Sequence, residues 1–309
     1  MCCFTSCAST VVPSAVTNTN SVSATNTSVH TVSPIIAIGD IHADLSSAKK
    51  AFAIAGVTNE QGEWIAENTT VVQTGDITDR GPDGLPILEW LLALEQQAGA
   101  HNSRFVIVMG NHEAMNLQGD WRYVSPLDIE SFGSVEARKQ LMLLHSTNTQ
   151  DSVSEKNIGK WAQWLLSKDA VVQIDDTVFV HGGVSKAFPF TATALSGSVR
   201  DALEAYSANQ SKADILGDMG PLWYRGYWKE SEASACVEAE FVLREMGAKR
   251  MVMGHTTQKD GKIHQRCAGT LFAIDTGISR HYGENIAALR IEGETVFAIY
   301  PTQTVQLYP

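Results

Sequence analysis

Four consecutive residues, Gly110-Asn111-His112-Glu113, directly follow the apolar run Arg104–Met109, in which only the first residue is polar. Such a run predicts a buried strand. The strand thus ends in an amide, an imidazole and a carboxylate. Open α/β sheets place their binding sites at the carboxyl ends of their strands. Taken alone, these residues are equally compatible with a Gly-Asn turn beside an incidental histidine.

The same arrangement recurs at four other places. In each, a short predicted strand leads into glycine beside Asp or His: Pro34–Ile38 into Gly39-Asp40-Ile41-His42, Thr70–Thr74 into Gly75-Asp76, Thr177–Val180 into His181-Gly182-Gly183, and Arg250–Met253 into Gly254-His255. Asp40, Asp76 and Asn111 are separated by 36 and 35 residues, about one βαβ unit each. Because chance rarely produces such a series, we interpret the five strand ends as one composite site.

In this order, the motifs resemble those of the phosphoprotein phosphatase family of metallophosphoesterases. They span residues 39–255, and the second continues as Ile-Thr-Asp79-Arg80-Gly81. The runs Gly110–Asn116 and Ile274–Gly277 are more similar to the Shewanella-like phosphatase branch, and the family usually has glycine where Ala43 stands. The resemblance implies an α/β fold, the metallophosphoesterase four-layer α/β/β/α sandwich with two mixed sheets, here with a helical insert.

Six motif residues offer oxygen and nitrogen ligands without thiolates: Asp40, His42, Asp76, Asn111, His181 and His255. Such a set suits two divalent metal ions such as Mn, Fe or Zn, rather than a structural zinc site built on cysteines. The resemblance implies that Asp76 bridges the two ions. It assigns Asp40 and His42 to one ion and Asn111, His181 and His255 to the other. A hydroxide bridging the ions would attack phosphorus directly.

Further residues match positions that the family uses for proton transfer and phosphate binding. His112 corresponds to the general acid, and Asp79 corresponds to the carboxylate that fixes its tautomer. Arg80 corresponds to the phosphate-binding arginine, whose planar fork suits phosphate, and Asn111 is expected to contact substrate as well as metal. Arg225 is either a second phosphate clamp or a partner in a surface ion pair. Glu113 is expected to orient its neighbours.

The amino-terminal segment and the cysteines leave several questions open. Residues 1–33 contain no Asp, Glu, Lys or Arg, and we interpret them as a disordered leader or tether before a calcineurin-like metallophosphoesterase domain at residues 34–309. Met1–Cys7 lacks the features of an ordinary signal peptide. The compartment is therefore cytoplasmic or, if this segment is a truncated export or lipoprotein signal, periplasmic or envelope. Cys236 and Cys267 are compatible with a disulfide or with two buried thiols.

Net charge and hydropathy exclude some partners. A net charge of −11 disfavours binding to nucleic acid or to anionic membranes. The chain contains no run of 18 apolar residues, so no transmembrane span is predicted. The sequence leaves the oligomeric state open.

Periodicity predicts the elements between the motifs. Helices are expected at Asp44–Ala55, Leu85–Gln97, Val135–His145, Lys160–Ser167, Ser196–Ser207 and Ser234–Met246. The third and fourth belong to a helical insert without strands, Met115–Asp169. Asp175-Asp176 and Glu292–Glu294 predict hairpin turns, which suggests locally paired strands in the second half. We expect the tryptophans of the insert to pack its helices, with Trp121–Tyr123 at the rim of the site as the alternative.

These features predict a metal-dependent phosphoprotein phosphatase that hydrolyses phosphomonoesters, with phosphotyrosine peptides and small aryl phosphates among its substrates. One alternative is a nucleotide hydrolase similar to the symmetrical dinucleoside tetraphosphatases. Those enzymes end the fourth motif in His-Ala-Gly, where this chain has His181-Gly182-Gly183. A second alternative is a non-catalytic phosphate-binding scaffold, which the complete set of six ligands and His112 disfavours.

Overall fold

The first three strands alternate with helices and lie parallel. The computed structural model describes residues 1, 33–144, 158–188, 190–209 and 213–308. In it, β1 (Ile35–Ile38), β2 (Thr70–Gln73) and β3 (Arg104–Ile107) are joined by α1 (Leu45–Ile54) and α2 (Gly84–Ala98). Asp44 caps α1, because its Oδ1 accepts a hydrogen bond from the Ser47 N–H at 3.2 Å. Both predicted crossover helices are confirmed to within one residue at each end.

The helical insert follows β3. It contains α3 (Asn111–Leu117), α4 (Pro126–Ser131), α5 (Val135–Met142) and α6 (Lys160–Leu166), and its described part holds no strand. Trp161 is buried in the core, Trp164 donates from Nε1 to Glu95 at 2.7 Å, and Trp121 lies against the guanidinium of Arg138. The tryptophans therefore pack the insert, as predicted. The predicted helix end at His145 lies outside the described residues.

The second sheet has five strands. Their spatial order is β4 (Val171–Ile174), β5 (Thr177–Val180), β6 (Arg250–Met253), β8 (Leu271–Ala273) and β7 (His264–Arg266). The three middle strands are parallel, and β4 and β7 are antiparallel to their neighbours. The connection from β5 to β6 contains α7 (Ala192–Asn209), α8 (Gly226–Lys229) and α9 (Glu232–Met246). The predicted hairpin at Asp175-Asp176 is confirmed.

The carboxyl-terminal strands return to the first sheet. β9 (Ala288–Glu292) pairs antiparallel with β1, and β10 (Thr295–Tyr300) and β11 (Gln303–Tyr308) extend it as a meander. The predicted β9–β10 hairpin is confirmed, and the locally paired strands expected in the second half are present, but β9 also pairs with β1 and so joins this meander to the first sheet. A turn motif identifies two adjacent strands and carries no information about the third strand beside which they insert.

The two mixed sheets pack face to face with helices outside, which is the predicted sandwich. Successive residues of β1 divide between two cores, because side chains alternate across a strand. Ile35 and Ala37 lie in the inner core with Phe179 of β5, whereas Ile36 packs in the outer core with Phe52 of α1. Both faces of the central strands are therefore buried, and their polar groups emerge only at strand ends.

Two further predictions can be placed on this fold. A disulfide joins Cys236 of α9 to Cys267 in the β7–β8 turn, so these cysteines are paired. Among the described residues, no helix is both long enough and apolar enough to span a membrane. Residues Val32–Pro309 form one compact unit. Apart from Met1 and Ser33, the predicted leader lies outside the described residues.

Candidate active site

The carboxyl ends of parallel strands from both sheets meet in one buried cluster. β1 and β2 lead into Asp40 and Asp76, and β5 and β6 lead into His181 and His255. Hydrogen bonds cross between the sheets: the His255 N–H donates to both carboxylate oxygens of Asp40 at 3.0 and 3.2 Å. Nε2 of His181 lies 2.8 Å from Oδ1 of Asn111, after β3. The structure therefore brings the five predicted strand ends together.

The turns after these strands adopt unusual backbone conformations. Five non-glycine site residues have a positive φ between 42° and 70°: His42, Asp76, Asp79, Arg80 and His255. Ala43, which stands where the family usually has glycine, has a φ of 48°. This region costs non-glycine residues roughly 1 kcal/mol each. Gly110 permits the close approach of two turns, because a Cβ there would lie 2.2 Å from the Asp76 nitrogen.

Asp76 lies at the centre of the cluster. Its Oδ2 is 3.6 Å from Nε2 of His42 and 3.8 Å from Nε2 of His112, and its Oδ1 is 3.2 Å from Nε2 of His181. Burial raises the pKa of Asp76, but the charges of His181 and His112 outweigh burial and hold the pKa well below its ordinary value. A carboxylate that reaches histidines on both sides has the placement that a bridging ligand requires.

Two imidazoles direct Nε2 into the cluster and place Nδ1 against a backbone carbonyl oxygen. Nδ1 of His181 lies 2.9 Å from the Thr74 carbonyl oxygen, and Nδ1 of His42 lies 3.2 Å from the Thr78 carbonyl oxygen. Because a carbonyl oxygen cannot donate a hydrogen bond, Nδ1 of each ring carries a proton, and the neutral form of either ring would have its lone pair on Nε2. Burial lowers the pKa of His42 to about 3, so this ring is neutral at pH 7. Lone pairs that face carboxylate and amide oxygens repel them unless a cation lies between.

Buried carboxylates concentrate further negative charge at the same place. Burial raises the pKa of Asp40, as do the charges of Asp275 and Asp76. Asp275 accepts hydrogen bonds from the Thr257 hydroxyl at 2.6 Å and from the Gly277 N–H at 3.1 Å. The run Ile274–Gly277 contributed to the resemblance, but Asp275 was not assigned to the site from the sequence. It stands two residues after β8, as Asp40 stands two residues after β1, but Ile274 replaces the intervening glycine that marked the other strand ends.

The donor atoms form two groups that share Asp76. One group contains His42, Asp76 and His112, the other contains Asp76, His181 and His255, and the donor atoms of each lie within 4.8 Å of one another. Asp40 adjoins the first group, with Oδ2 4.0 Å from Nε2 of His42. All six predicted ligands therefore belong to the cluster. Their oxygen and nitrogen donors fit two divalent ions.

His112 and Asp79 form a buried dyad beside Asp76. Nδ1 of His112 lies 2.7 Å from Oδ2 of Asp79, and its Nε2 faces the cluster. Burial lowers the pKa of His112, but the charge of Asp76 and the hydrogen bond to Asp79 outweigh burial and raise the pKa above its ordinary value. A protonated imidazole held in this orientation is suited to donate a proton from Nε2.

Arg80 lies between two half-buried tyrosines at the rim of the cluster. Its guanidinium stacks 3.8 Å from the centre of the Tyr123 ring and lies 6.0 Å from that of Tyr282. The Tyr123 ring is 5.1 Å from the His112 ring, and the Tyr282 ring is 5.0 Å from the His42 ring. Nε of Arg80 is buried and has no hydrogen-bond partner among the described residues. Tyr123, from the segment Trp121–Tyr123 that was the alternative for the rim, lies there. Tyr282 belongs to no sequence motif that could have identified it.

Arg225 holds the turn that carries His255. Its Nη1 donates to the His255 carbonyl oxygen and to the Thr256 hydroxyl, and Nη2 lies 3.3 Å from Nδ1 of His255. Nε2 of His255 donates to the Trp223 carbonyl oxygen at 3.2 Å. These partners replace the surface ion pair considered from the sequence. A contact between Arg225 and phosphate stays a prediction.

Glu113 ties the turn after β2 to the start of α3. Its Oε1 accepts from the N–H groups of Ile77 and Thr78, both at 3.0 Å, and from the Thr78 hydroxyl at 2.9 Å. Its Oε2 accepts from the N–H groups of Asp76 at 2.8 Å and Gly110 at 2.9 Å. Burial and the charge of Asp76 raise the pKa of Glu113, whereas these donors favour the carboxylate. The expectation that Glu113 orients its neighbours is confirmed.

Comparison with known proteins settles the family. Residues 33–259 match the model of the calcineurin-like phosphoesterases. The chain belongs to the calcineurin-like phosphoesterase family. It is 32% identical over 262 residues to Shewanella-like protein phosphatase 1 of Plasmodium berghei, a match that covers 81% of this chain and 69% of that protein. This phosphoesterase therefore belongs to the Shewanella-like branch, as its motifs indicated.

Two other relatives also match most of the chain. An uncharacterised protein of Schizosaccharomyces pombe is 35% identical over 286 residues, which cover 88% of this phosphoesterase and 82% of that protein. The crystal structure of a cold-active protein-tyrosine phosphatase from a psychrophilic Shewanella species superposes with a TM-score of 0.70 at 25% identity, covering 89% of this chain and 80% of that one. Phosphoesterases of this family use two divalent metal ions, and the two groups of donor atoms that share Asp76 could hold them.

Proposed function

We propose that this metal-dependent phosphatase hydrolyses phosphotyrosine in proteins and other aryl phosphates. The observation that carries the proposal is the pair of tyrosine rings, Tyr123 and Tyr282, on either side of Arg80 and beside His112 and His42. A phosphate bound at the cluster would leave its aryl group between these rings. Aromatic pairs contribute about 0.5–1.5 kcal/mol beyond the area that they bury.

Each charged group near the rim has a role in this proposal. Arg80 binds the phosphate through its planar fork, which the buried and unpartnered Nε supports. His112, held by Asp79, donates the proton that the leaving oxygen needs. Two divalent ions held by Asp40, His42, Asp76, Asn111, His181 and His255 would supply charge neutralisation and a water of lowered pKa.

The chemistry of the leaving group supports the same substrate class. A tyrosine phenol has a pKa of about 10, far below that of an alkyl alcohol, and therefore leaves more easily than serine. The Shewanella relative is named as a protein-tyrosine phosphatase. Cys236 and Cys267 are joined in a disulfide, and neither is followed by arginine at the sixth position. Phosphotyrosine hydrolysis by this chain therefore relies on metal ions rather than on a cysteine nucleophile.

The test compares matched phosphotyrosine and phosphoserine peptides with the wild-type protein and two variants of Tyr282. Wild type should prefer phosphotyrosine. Tyr282→Leu should lower kcat/KM for phosphotyrosine by about 2–10-fold and leave phosphoserine almost unchanged, because only an aryl group contacts the ring. Tyr282→Phe keeps the ring and should retain the preference. A wild-type preference for phosphoserine would refute the substrate, and turnover of dinucleoside tetraphosphate without turnover of either peptide would favour a nucleotide hydrolase.

A further inference from the structure

The helical insert reaches back to the His112–Asp79 dyad through a buried network. Arg138 of α5 donates from Nε to Oδ1 of Asp128 of α4 at 2.9 Å, and from Nη2 to Oδ1 of Asn116 of α3 at 2.7 Å. Asn116 in turn donates from Nδ2 to Oδ1 of Asp79 at 2.8 Å. Arg138, Asp128, Asn116 and Asp79 are each 0% exposed.

Burying an arginine completely in the helical insert is energetically unfavourable. Moving an ion out of water costs several kcal/mol even after relaxation, and replacing a buried ion pair by apolar groups is often neutral or stabilising. Trp121 and Phe132 already lie against the guanidinium of Arg138, at 4.6 and 5.4 Å, so an apolar side chain would find apolar neighbours there. A role beyond packing would account for the charge.

The hydrogen bonds show what the charge can do. Because Arg138 can only donate, it fixes the Asn116 amide with its oxygen towards the guanidinium. The amide nitrogen must then point the other way, towards Oδ1 of Asp79 and the His112 carbonyl oxygen, at 2.8 and 2.9 Å. With Oδ1 held in this way, Oδ2 of Asp79 is aimed at Nδ1 of His112 at 2.7 Å. Arg138 itself stands 3.9 Å from Oδ1 of Asp79.

We propose that Arg138 is a positioning residue that acts through Asn116 and Asp79 to hold His112 in line with the leaving oxygen. The inference rests on the proposed phosphomonoesterase activity. In that reaction an oxygen from water forms a bond to phosphorus while the bond from phosphorus to the leaving oxygen breaks. The leaving oxygen takes the proton from Nε2 of His112. The helical insert thereby becomes part of the proton-transfer apparatus.

The distinguishing measurement is the dependence of kcat on the leaving group. p-Nitrophenolate leaves without protonation, whereas phenolate, with a conjugate acid of pKa about 10, benefits from it. A general acid contributes typically 10²–10⁴-fold, and a misaligned acid retains part of that. Arg138→Met should therefore lower kcat for phenyl phosphate about 10–100-fold more than for p-nitrophenyl phosphate. Metal content should stay that of wild type.

Two further variants keep the test decisive. Asn116→Asp retains an acceptor for Arg138 but replaces the donor to Asp79 by a carboxylate, so it should change the substrate ratio even if Arg138→Met does not fold. Arg250→Met is the matched control, because Arg250 is also buried, at the start of β6, and pairs with Glu294 away from the dyad. It should leave the ratio unchanged.

Equal losses on both esters in folded Arg138→Met, or an unchanged ratio in Asn116→Asp, would overturn the inference while the proposed function stands. Wild-type protein that is loaded with metal and hydrolyses neither ester would overturn the proposed function and this inference together.

Discussion

Replacing Glu113 by glutamine tests whether one carboxylate assembles the site. The side chain accepts four backbone N–H groups and one hydroxyl, and its donors include the nitrogens of Asp76 and Gly110. Glutamine has a single acceptor oxygen. If that oxygen takes the place of Oε1, the new amide group faces the N–H groups of Asp76 and Gly110, which are donors themselves.

The expected loss follows from the number of bonds broken. Hydrogen bonds to a charged group contribute about 1.5–3 kcal/mol each, so losing two costs about 3–6 kcal/mol. That is a large share of the roughly 5–15 kcal/mol by which domains are stable. At about 2–4 °C per kcal/mol, Glu113→Gln should lower Tm by roughly 10 °C. It should also reduce metal content, because the two N–H groups left without an acceptor adjoin the metal-binding cluster.

Thermal unfolding with a chelator present separates the loss of these hydrogen bonds from the loss of metal. Metal content is measured separately on protein loaded with metal. Glu60→Gln makes the same chemical change at an exposed position and should leave both quantities unchanged. A Tm for Glu113→Gln close to that of wild type, with normal metal content, would refute the view that this carboxylate organises the two turns.

Four further predictions concern the site and its surroundings. Asp76→Asn should lower metal occupancy at both predicted positions, whereas His112→Asn should keep the metals and lower kcat by about 10²–10⁴-fold; equal metal loss would contradict this division. Arg80→Ala should weaken the binding of inorganic phosphate and raise KM, and unchanged kinetic constants would remove Arg80 from the site. Hydrolysis of phosphotyrosine peptides should survive thiol alkylation and stop with a strong chelator, and the opposite pattern would overturn the metal mechanism. Arg280→Ala should destabilise the protein by about 1 kcal/mol at pH 7, because Arg280 donates to the Asp44 carboxylate at 2.8 and 3.0 Å. Burial raises the pKa of Asp44, but the hydrogen bonds from Arg280 outweigh burial and hold the pKa below 3.8. The stability difference between wild type and Arg280→Ala should therefore be complete above pH 3.8 and disappear as the pH falls through the pKa of Asp44 in the folded protein. Urea unfolding of both proteins across this pH range measures the difference.

The sequence located the site because each predicted ligand stands within a few residues of the end of a predicted strand. Strand ends beside glycine are local features, and the extents of α1 and α2 followed from caps and periodicity. Asp275 was not assigned to the site, although its run supported the resemblance, because Ile274 stands where the other motifs have glycine. The relay from Arg138 to Asp79 could not be foreseen, because its members lie on three short helices and a turn. No sequence period links residues that are separated by 22 and 37 positions.

Strand order was also beyond the reach of local patterns. The β9–β10 turn was identifiable from Glu292–Glu294, but its insertion beside β1 depends on which edge of the first sheet is free. Tyr282 reaches the rim of the site because the short helical turn Arg280–Tyr282 follows β8 and the segment after it that contains Asp275. Long-range placement of this kind is decided by packing between layers.

The left-handed turns set selection for activity against selection for stability. Each non-glycine residue there costs roughly 1 kcal/mol, and glycine would relieve the strain but remove a functional side chain. A lineage released from catalysis should therefore drift towards glycine or asparagine at His42, Asp76, Asp79, Arg80 and His255, and its members should melt at higher temperatures than the active protein. Retention of functional side chains at these five strained positions, in the turns after β1, β2 and β6, therefore indicates that a lineage still uses the site.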